Sequence, residues 1–136
     1  MRIRVLFVYI LMVALSACAT AYSSHDFFGG FSSVRIDQNT WRVNFSGNAY
    51  TSAEKAIDYN LLRCAEITLE NGYAYFVVVG ESQRTDYSRV NIKRDSFFFA
   101  KPSTHNTIIC YATKQNEFSY NAELTAKSIR DKYGMK

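Results

Sequence analysis

Arg63 and Glu66 are the residues of this 136-residue sequence whose types and spacing best suit chemistry. They lie one helical turn apart in LLRCAE, so at i, i+3 they can form an ion pair. A partly buried Arg fork can also hold a carboxylate or a backbone carbonyl, and the turn at 46–48 (SGN) is a candidate source. Arg63, Glu66 and Asn48 therefore either contact an anionic ligand or partner, or tie a helix to a hairpin. The internal tie is the favoured interpretation.

A second kind of chemistry is covalent lipidation, which the N-terminal segment indicates. Two arginines precede an apolar run of about eleven residues, Val5–Leu15, whereas a helix that spans a bilayer needs about 20. Directly after it, residues 15–18 (LSAC) match the lipobox of bacterial lipoprotein signals. That resemblance implies cleavage before Cys18 and acylation of its sulfur and its new amino terminus. The alternative is an ordinary secretory signal in which Cys18 has no role.

The lipobox divides the chain into a signal peptide (1–17), a lipidated cysteine with a polar tether (18–30) and a single domain (31–136). Ala19 stands where enteric bacteria use Asp to retain such proteins in the inner membrane. We therefore expect a lipid-anchored protein of the cell envelope, held in the outer membrane and facing the periplasm. Two or three acyl chains make that attachment stable, at about 0.8 kcal/mol per buried methylene.

Cys64 and Cys110 remain once Cys18 is acylated. An oxidising periplasm favours pairing of thiols, and these two form the one available pair. They can meet if the strand of Cys110 lies beneath the helix of Cys64. A disulfide would stabilise the fold by about 4 kcal/mol in the chain-entropy model. The alternative is two buried free thiols that pack as small apolar groups.

Enzyme signatures are absent from the sequence. The two histidines, His25 in the tether and His105 in a polar segment, are expected on the solvated surface. Neither HxxxH nor CxxC occurs, so no metal site is predicted. GxSxG, Walker and GxGxxG motifs are missing as well. We therefore expect neither catalysis nor a cofactor.

Phenylalanines cluster at 27–28 and at 97–99. Together they could form an exposed apolar patch for a partner or a membrane. Alternate residues of a strand must face inward, however, so Phe97 and Phe99 are expected in the core.

The hydrophobic periodicity predicts the elements that position these residues. Phe31–Asp37 and Trp41–Ser46 have the pattern of a β-hairpin, and the second strand alternates strictly between apolar and polar residues. Tyr73–Gly80 is apolar on both faces, which is typical of a central strand. Thr107–Thr113 is a further strand, and the segment between these two gives the weakest signal.

A long helix over residues 52–70 follows the hairpin. Thr51 and Glu54 have the spacing of a capping box. Asn71-Gly72 is typical of a helix end, because Gly readily adopts the left-handed conformation found there. One broad apolar face is expected to meet a sheet. A smaller apolar group lies nearly opposite: Tyr59, Leu62 and Leu69. We expect the C-terminal segment or a partner to cover that second side.

A second helix over Tyr120–Tyr133 completes the predicted fold. The fold class is α+β, a two-layer sandwich of order β-β-α-β-β-β-α, with an antiparallel or mixed sheet and the helices on one face.

Three segments, 41–51 (WRVNFSGNAYT), 58–68 (DYNLLRCAEIT) and 71–76 (NGYAYF), resemble a family of small proteobacterial lipoproteins of uncharacterised activity. Its pattern is Y-x-V-x-F-x-G-N-x-x-T, L-L-R-A-A-E-L-T and G-Y-x-x-F. The matching residues are Val43, Phe45, Gly47, Asn48, Thr51, Leu62, Arg63, Ala65, Glu66, Thr68, Gly72, Tyr73 and Phe76. Trp41 and Cys64 depart from it, in place of Tyr and Ala. The resemblance covers about residues 29–80, supports the lipoprotein prediction and implies no activity.

The net charge of +4 falls to +2 once Arg2 and Arg4 are removed with the signal, which is too weak to predict a nucleic-acid partner. The leading hypothesis is a non-enzymatic envelope module that binds a protein partner or supports the envelope. The alternative is a binder of small ligands or peptidoglycan fragments. A concave site lined by Arg63, Glu66 and tyrosines would favour the binder, and a flat apolar patch would favour the module.

Overall fold

The computed structural model describes residues 22–24, 29–92 and 95–136, and this part of the chain contains five strands and two helices. The strands are β1 (Gly30–Asp37), β2 (Thr40–Ser46), β3 (Tyr75–Ile92), β4 (Asp95–Tyr111) and β5 (Tyr120–Asn121). The helices are α1 (Ala53–Glu70) and α2 (Ala122–Tyr133). The α+β class and the order β-β-α-β-β-β-α are those predicted from the sequence.

All five strands pair antiparallel in one sheet of order β1-β2-β4-β3-β5. β4 is therefore the central strand, whereas the sequence predicted that role for Tyr73–Gly80. That segment forms the first part of β3, one position nearer the edge, and Phe76 is its only fully buried residue. The apolar residues around Phe76 are half-buried or exposed.

The core lies between one face of the sheet and the two helices. The predicted alternation of β2 is confirmed, because Trp41, Val43 and Phe45 are all buried. Trp41 and Val43 pack with side chains from α1, β3, β4 and α2, which include Leu62, Cys64, Ile67, Phe76, Ile108, Cys110, Ala126 and Ile129. Phe45 packs in a second cluster with Ala56 and Tyr59 of α1. The result is the two-layer sandwich expected.

The ends of α1 agree with the sequence at one terminus only. The stop is confirmed, since Gly72 adopts φ +80° directly after the C-cap residue Asn71. The N-cap is Ser52, whose hydroxyl accepts a hydrogen bond from the Lys55 amide at 3.1 Å, so the capping box predicted at Thr51 is wrong. The Thr51 hydroxyl instead bonds to Asn48.

Helix α2 covers the second apolar side of α1. Tyr59 and Leu62 are buried there, and the rings of Tyr59 and Tyr133 meet edge to face at 5.2 Å. Lys132 extends the contact through ion pairs with Glu54 and Asp58 at 2.5 and 2.7 Å. Of the two covers expected for this side, the C-terminal segment is therefore the one present.

Beyond Gly80 the strands divide the sequence differently from expectation. β3 continues through the polar residues to Ile92, and β4 already begins at Asp95. Their outer eight residue pairs, from Thr85↔Pro102 to Ile92↔Asp95, lie past the last pair that joins β2 to β4, Ser46↔Ser103. We call this two-stranded segment the arm.

Phe99 lies on the arm and is 42% exposed, so its predicted core position is wrong. In the described part of the chain neither helix covers Phe99, which explains why alternation there does not produce burial. The side chain of Phe97 lies outside the described residues.

Candidate functional site

Arg63 and Glu66 form the ion pair that their spacing predicts, with 3.3 Å between Nη1 and Oε2. The Arg63 fork also donates to both carboxylate oxygens of Glu70, at 2.8 and 3.2 Å. Its guanidinium carbon lies 4.7 Å from the centre of the Phe31 ring. The predicted contact with the turn at 46–48 is therefore not made, because these neighbours on α1 and β1 hold the guanidinium.

Glu66 is the centre of a larger cluster. Its Oε1 accepts a hydrogen bond from Arg130 Nη2 at 2.7 Å, and its Oε2 accepts one from the Tyr22 hydroxyl as well as from Arg63. Burial and this bond to Glu66 raise the pKa of Tyr22 above its ordinary value. The cluster, hereafter the Glu66 cluster, joins α1, α2 and the segment that precedes β1. Its members are Tyr22, Arg63, Glu66, Glu70 and Arg130.

The Glu66 cluster has the character of an internal tie. Both oxygens of Glu66 are occupied by groups from three separate parts of the chain. The favoured interpretation of Arg63 and Glu66 agrees with this arrangement, although the elements that they join differ from those expected. Tyr22 and Arg130 were not predicted, because no local pattern links residues 44 and 64 positions away from Glu66.

Asn48 organises the turn between β2 and α1. Its Oδ1 accepts from the Tyr50 amide at 2.9 Å and from the Thr51 hydroxyl at 3.2 Å. Gly47 is required beside it, since a Cβ there would lie 2.7 Å from the Thr51 Cβ. Asn48 is thus a turn residue, separate from the Glu66 cluster.

Cys64 and Cys110 are both buried in the same core cluster. This agrees with the expectation that the strand of Cys110 lies beneath the helix of Cys64. Both are free thiols, so the disulfide alternative is not the arrangement found. The Cys110 sulfur lies 3.3 Å from the Thr68 hydroxyl, and the Cys64 thiol donates to Asn60 Oδ1 at 3.4 Å. Burial raises the pKa of Cys64 to about 12 and that of Cys110 in the same direction.

The lipobox lies outside the described residues, as do Cys18, His25, Phe27 and Phe28. The tether predicted over 18–30 is interrupted, because Tyr22 packs against the rings of Phe31 and Tyr59. The Phe31 amide also donates to the Ser23 carbonyl at 2.8 Å. The chain is therefore already bound to the domain at Tyr22.

An open strand edge lies on the other side of the molecule. β5 pairs with only Tyr75 and Phe76 of β3, and no other described strand pairs with that edge further along. A groove of about 530 Å³ follows the edge. We call it the β3 groove; its lining comprises Val78, Val79, Gly80, Glu81, Glu117, Phe118, Ser119 and Tyr120.

The wall of the β3 groove is held in place by a tight turn. The Phe118 amide donates to Asn116 Oδ1 at 3.0 Å, and the Ser119 hydroxyl accepts from the amides of Gln115 and Asn116 at 3.2 and 3.1 Å. Tyr120 stacks on Phe76 with 5.1 Å between ring centres. This site was not predicted, although Asn116 and Ser119 are residue types typical of such a turn.

Other sites are not apparent in the described part of the chain. No group of three or more His, Cys, Asp or Glu side chains there is placed to hold a metal ion. His105 lies on the sheet, with Nδ1 2.8 Å from Asn44 Oδ1. Among the described helices, none combines the length and the apolar character needed to cross a bilayer.

Comparison with known proteins identifies no relative. No protein-family profile matches the chain, and no curated protein and no solved structure is significantly similar to it.

Proposed function

We propose that this protein is a periplasmic lipoprotein anchored in the outer membrane, and that its domain is a non-enzymatic module that binds an envelope protein partner. The observation that carries the proposal is the open edge of β3 beside a groove with aromatic walls. β5 is only two residues long, so an extended segment of the partner would pair with β3 beyond the two residues that β5 occupies.

The chemistry of the β3 groove favours this kind of partner. An unpaired strand edge offers backbone donors and acceptors to another extended chain. Val79 and Phe118 are exposed and supply apolar contact, while Glu81 and Glu117 border the groove with negative charge. The expected guest is therefore an extended segment with apolar side chains and a Lys or Arg.

The alternative function, binding of a small ligand or a peptidoglycan fragment, draws no support from the residues first suspected. Arg63 and Glu66 do not line the β3 groove; Nη1 and Nη2 of Arg63 and both carboxylate oxygens of Glu66 bond within the Glu66 cluster. The open strand edge and the apolar side chains of the β3 groove favour the partner module over the binder.

Photocrosslinking in the native envelope tests the proposal. A photoreactive amino acid would replace Val79, which is 55% exposed, or Val34 on β1, which is 61% exposed and serves as the control. We expect a discrete crosslinked protein from position 79 and none from position 34. Crosslinking from position 34 alone, or from neither position, would contradict partner binding at the β3 groove. Loss of the position 79 product in Phe118→Ser would assign it to the groove.

A further inference from the structure

We propose that the arm lies on the anionic headgroup surface of the same membrane that holds the lipid on Cys18. This inference rests on the lipid anchor of the proposed function, but it assigns a separate surface and a separate ligand. The ligand is phospholipid with a negatively charged headgroup.

The arm leaves the domain at the end of the sheet where the described N-terminal residues 22–24 lie. Ser24 pairs in parallel with Phe31, next to Gly30 at the start of β1. Gly30 is opposite Ser46 on β2, and Ser46 is opposite Ser103 on β4. The arm begins at the next residue pair, so it extends from the end of the sheet beside which Ser24 lies.

The distances allow both to reach one surface. Cys18 is four residues before Tyr22, and four residues span at most about 14 Å when fully extended. The domain is therefore held close to the lipid. The arm has eight residue pairs, which at about 3.3 Å per residue give it a length near 26 Å. An arm of this length is long enough to reach the headgroup region from a domain held so close to the lipid.

The side chains of the arm suit an interface between lipid and water. Tyr87, Phe98 and Phe99 are exposed, and consecutive strand residues place the two phenylalanines on opposite faces of the ribbon. Arg89 lies over the Phe98 ring at 5.8 Å, and Lys101 is exposed opposite Asp86. Counted from the sequence, residues 85–102 carry four basic residues, Arg89, Lys93, Arg94 and Lys101, against Asp86 and Asp95, a net charge of +2. Aromatic rings at headgroup level and basic side chains beside anionic lipid are each favourable.

The architecture of the arm gives a second reason for a supporting surface. An isolated two-stranded ribbon is marginally stable in water. In the described structure neither edge of the arm pairs with a further strand, and both helices lie over the domain. Contact with a membrane would bury its aromatic side chains without requiring a third strand.

Fluorescence quenching tests the proposal in the intact lipidated protein. Phe98→Trp and, as the matched control, Phe118→Trp would be reconstituted into vesicles of phosphatidylethanolamine and phosphatidylglycerol with brominated acyl chains. The two positions are similarly exposed, 65% and 73%, but Phe118 lies at the β3 groove. We expect the added emission in Phe98→Trp to be quenched at least threefold more than in Phe118→Trp. Equal quenching at both positions would overturn the proposal.

Charge dependence and anchoring are measured in the same samples. Adding Arg89→Ser and Lys101→Ser, or replacing phosphatidylglycerol by phosphatidylcholine, should at least halve the quenching in Phe98→Trp; an unchanged value would overturn the role of anionic lipid. Flotation reports the anchor independently. Protein that floats without quenching in Phe98→Trp contradicts the arm alone. Protein that fails to float contradicts the anchor. In that case, quenching of Phe98→Trp by added vesicles still tests whether the arm contacts the membrane. Crosslinking of arms between copies, without quenching, would identify a second copy as the occupant.

Discussion

At the scale of single residues, Glu66 shows how a charge is used inside this fold. Three donors from separate segments converge on its two oxygens, and its side chain is only 14% exposed. A buried carboxylate is favourable only when its hydrogen bonds are made, so each donor contributes to placing the others. The spacing of Arg63 and Glu66 could be read from the sequence because it is local. The donors Tyr22 and Arg130 could not, because only the packed fold brings them there.

Replacing Arg63 by Leu should lower the free energy of unfolding. The change removes two charged contacts and leaves Glu66 with Tyr22 and Arg130, so we expect a loss on the order of 1.5 to 3 kcal/mol in urea denaturation. Lys127→Leu is the matched control, because its pair with Asp131 is exposed and should contribute nothing measurable. Unchanged stability of Arg63→Leu, combined with lost partner binding, would make Arg63 a functional residue.

The two core thiols should be protected rather than paired. Because Cys64 and Cys110 are buried and free, neither should react with iodoacetamide in the folded protein, and both should react in denaturant without reductant. Mass spectrometry counts the added groups. A protein two hydrogen masses lighter that gains no label until it is reduced would instead contain the disulfide.

Alkaline pH should destabilise the fold through groups that stay protonated in it. Burial raises the pKa of Cys64 from 9.0 to about 12, and burial together with Asp58 raises that of Tyr133 from 10.0 to about 12. Between pH 9 and 12 the unfolded chain therefore releases protons that the folded chain retains. The free energy of unfolding should fall as pH rises, by up to about 1.4 kcal/mol per pH unit for each group.

Cys64→Ala provides the check on that pH dependence. The substitution removes one of the groups, so denaturation curves should show a shallower fall between pH 9 and 12 and an unchanged slope near pH 7. An identical slope in both proteins above pH 9 would rule out Cys64 as a contributor.

At the scale of elements, the sequence predicts well where a local pattern decides the structure. The alternation of β2 and the Asn71-Gly72 stop are such cases. Burial of one face produces alternating apolar residues, and the left-handed conformation at a helix end favours Gly. The start of α1 was displaced by one residue because Thr51 and Ser52 both suit an N-cap. The close contact of Thr51 with Gly47 commits it to the turn.

The arm shows where local pattern fails. Residues 92–95 (IKRD) contain no Gly, Pro or Asn-Gly, so no turn motif predicts a hairpin between β3 and β4. Its strands also lack one buried face, and alternation therefore could not distinguish core from surface for Phe99. A two-stranded ribbon that no other element covers has no buried face.

Ser52→Ala should weaken the first turn of α1. The substitution removes the acceptor for the Lys55 amide, and loss of an N-cap costs about 1 kcal/mol. Hydrogen exchange should show faster exchange of the Lys55 amide, while Ser52→Asp should restore its protection. If Ser52→Ala leaves that amide protected, the helix begins elsewhere.

At the scale of the whole molecule, the N-terminal segment sets the position of everything else. The sequence predicted a tether up to residue 30, yet Tyr22 is already fixed to α1 through Glu66. Such a short connection limits the distance between the domain and any lipid on Cys18. The β3 groove lies toward the opposite end of β3 from the arm, so the membrane contact that we propose for the arm would leave the groove accessible. One face for lipid and another for protein is consistent with an anchored interaction module.

The anchor itself gives the last prediction. Wild-type protein expressed in a Gram-negative host should incorporate labelled palmitate and fractionate with the outer membrane, because the lipobox at 15–18 would place two or three acyl chains on Cys18. Cys18→Ser should abolish both properties, since serine cannot form the thioether. Ala19→Asp is the matched variant: it should keep the palmitate label and move the protein to the inner membrane. Palmitate label retained in Cys18→Ser would contradict acylation at Cys18. Wild-type protein found wholly in the soluble fraction would contradict the lipid anchor.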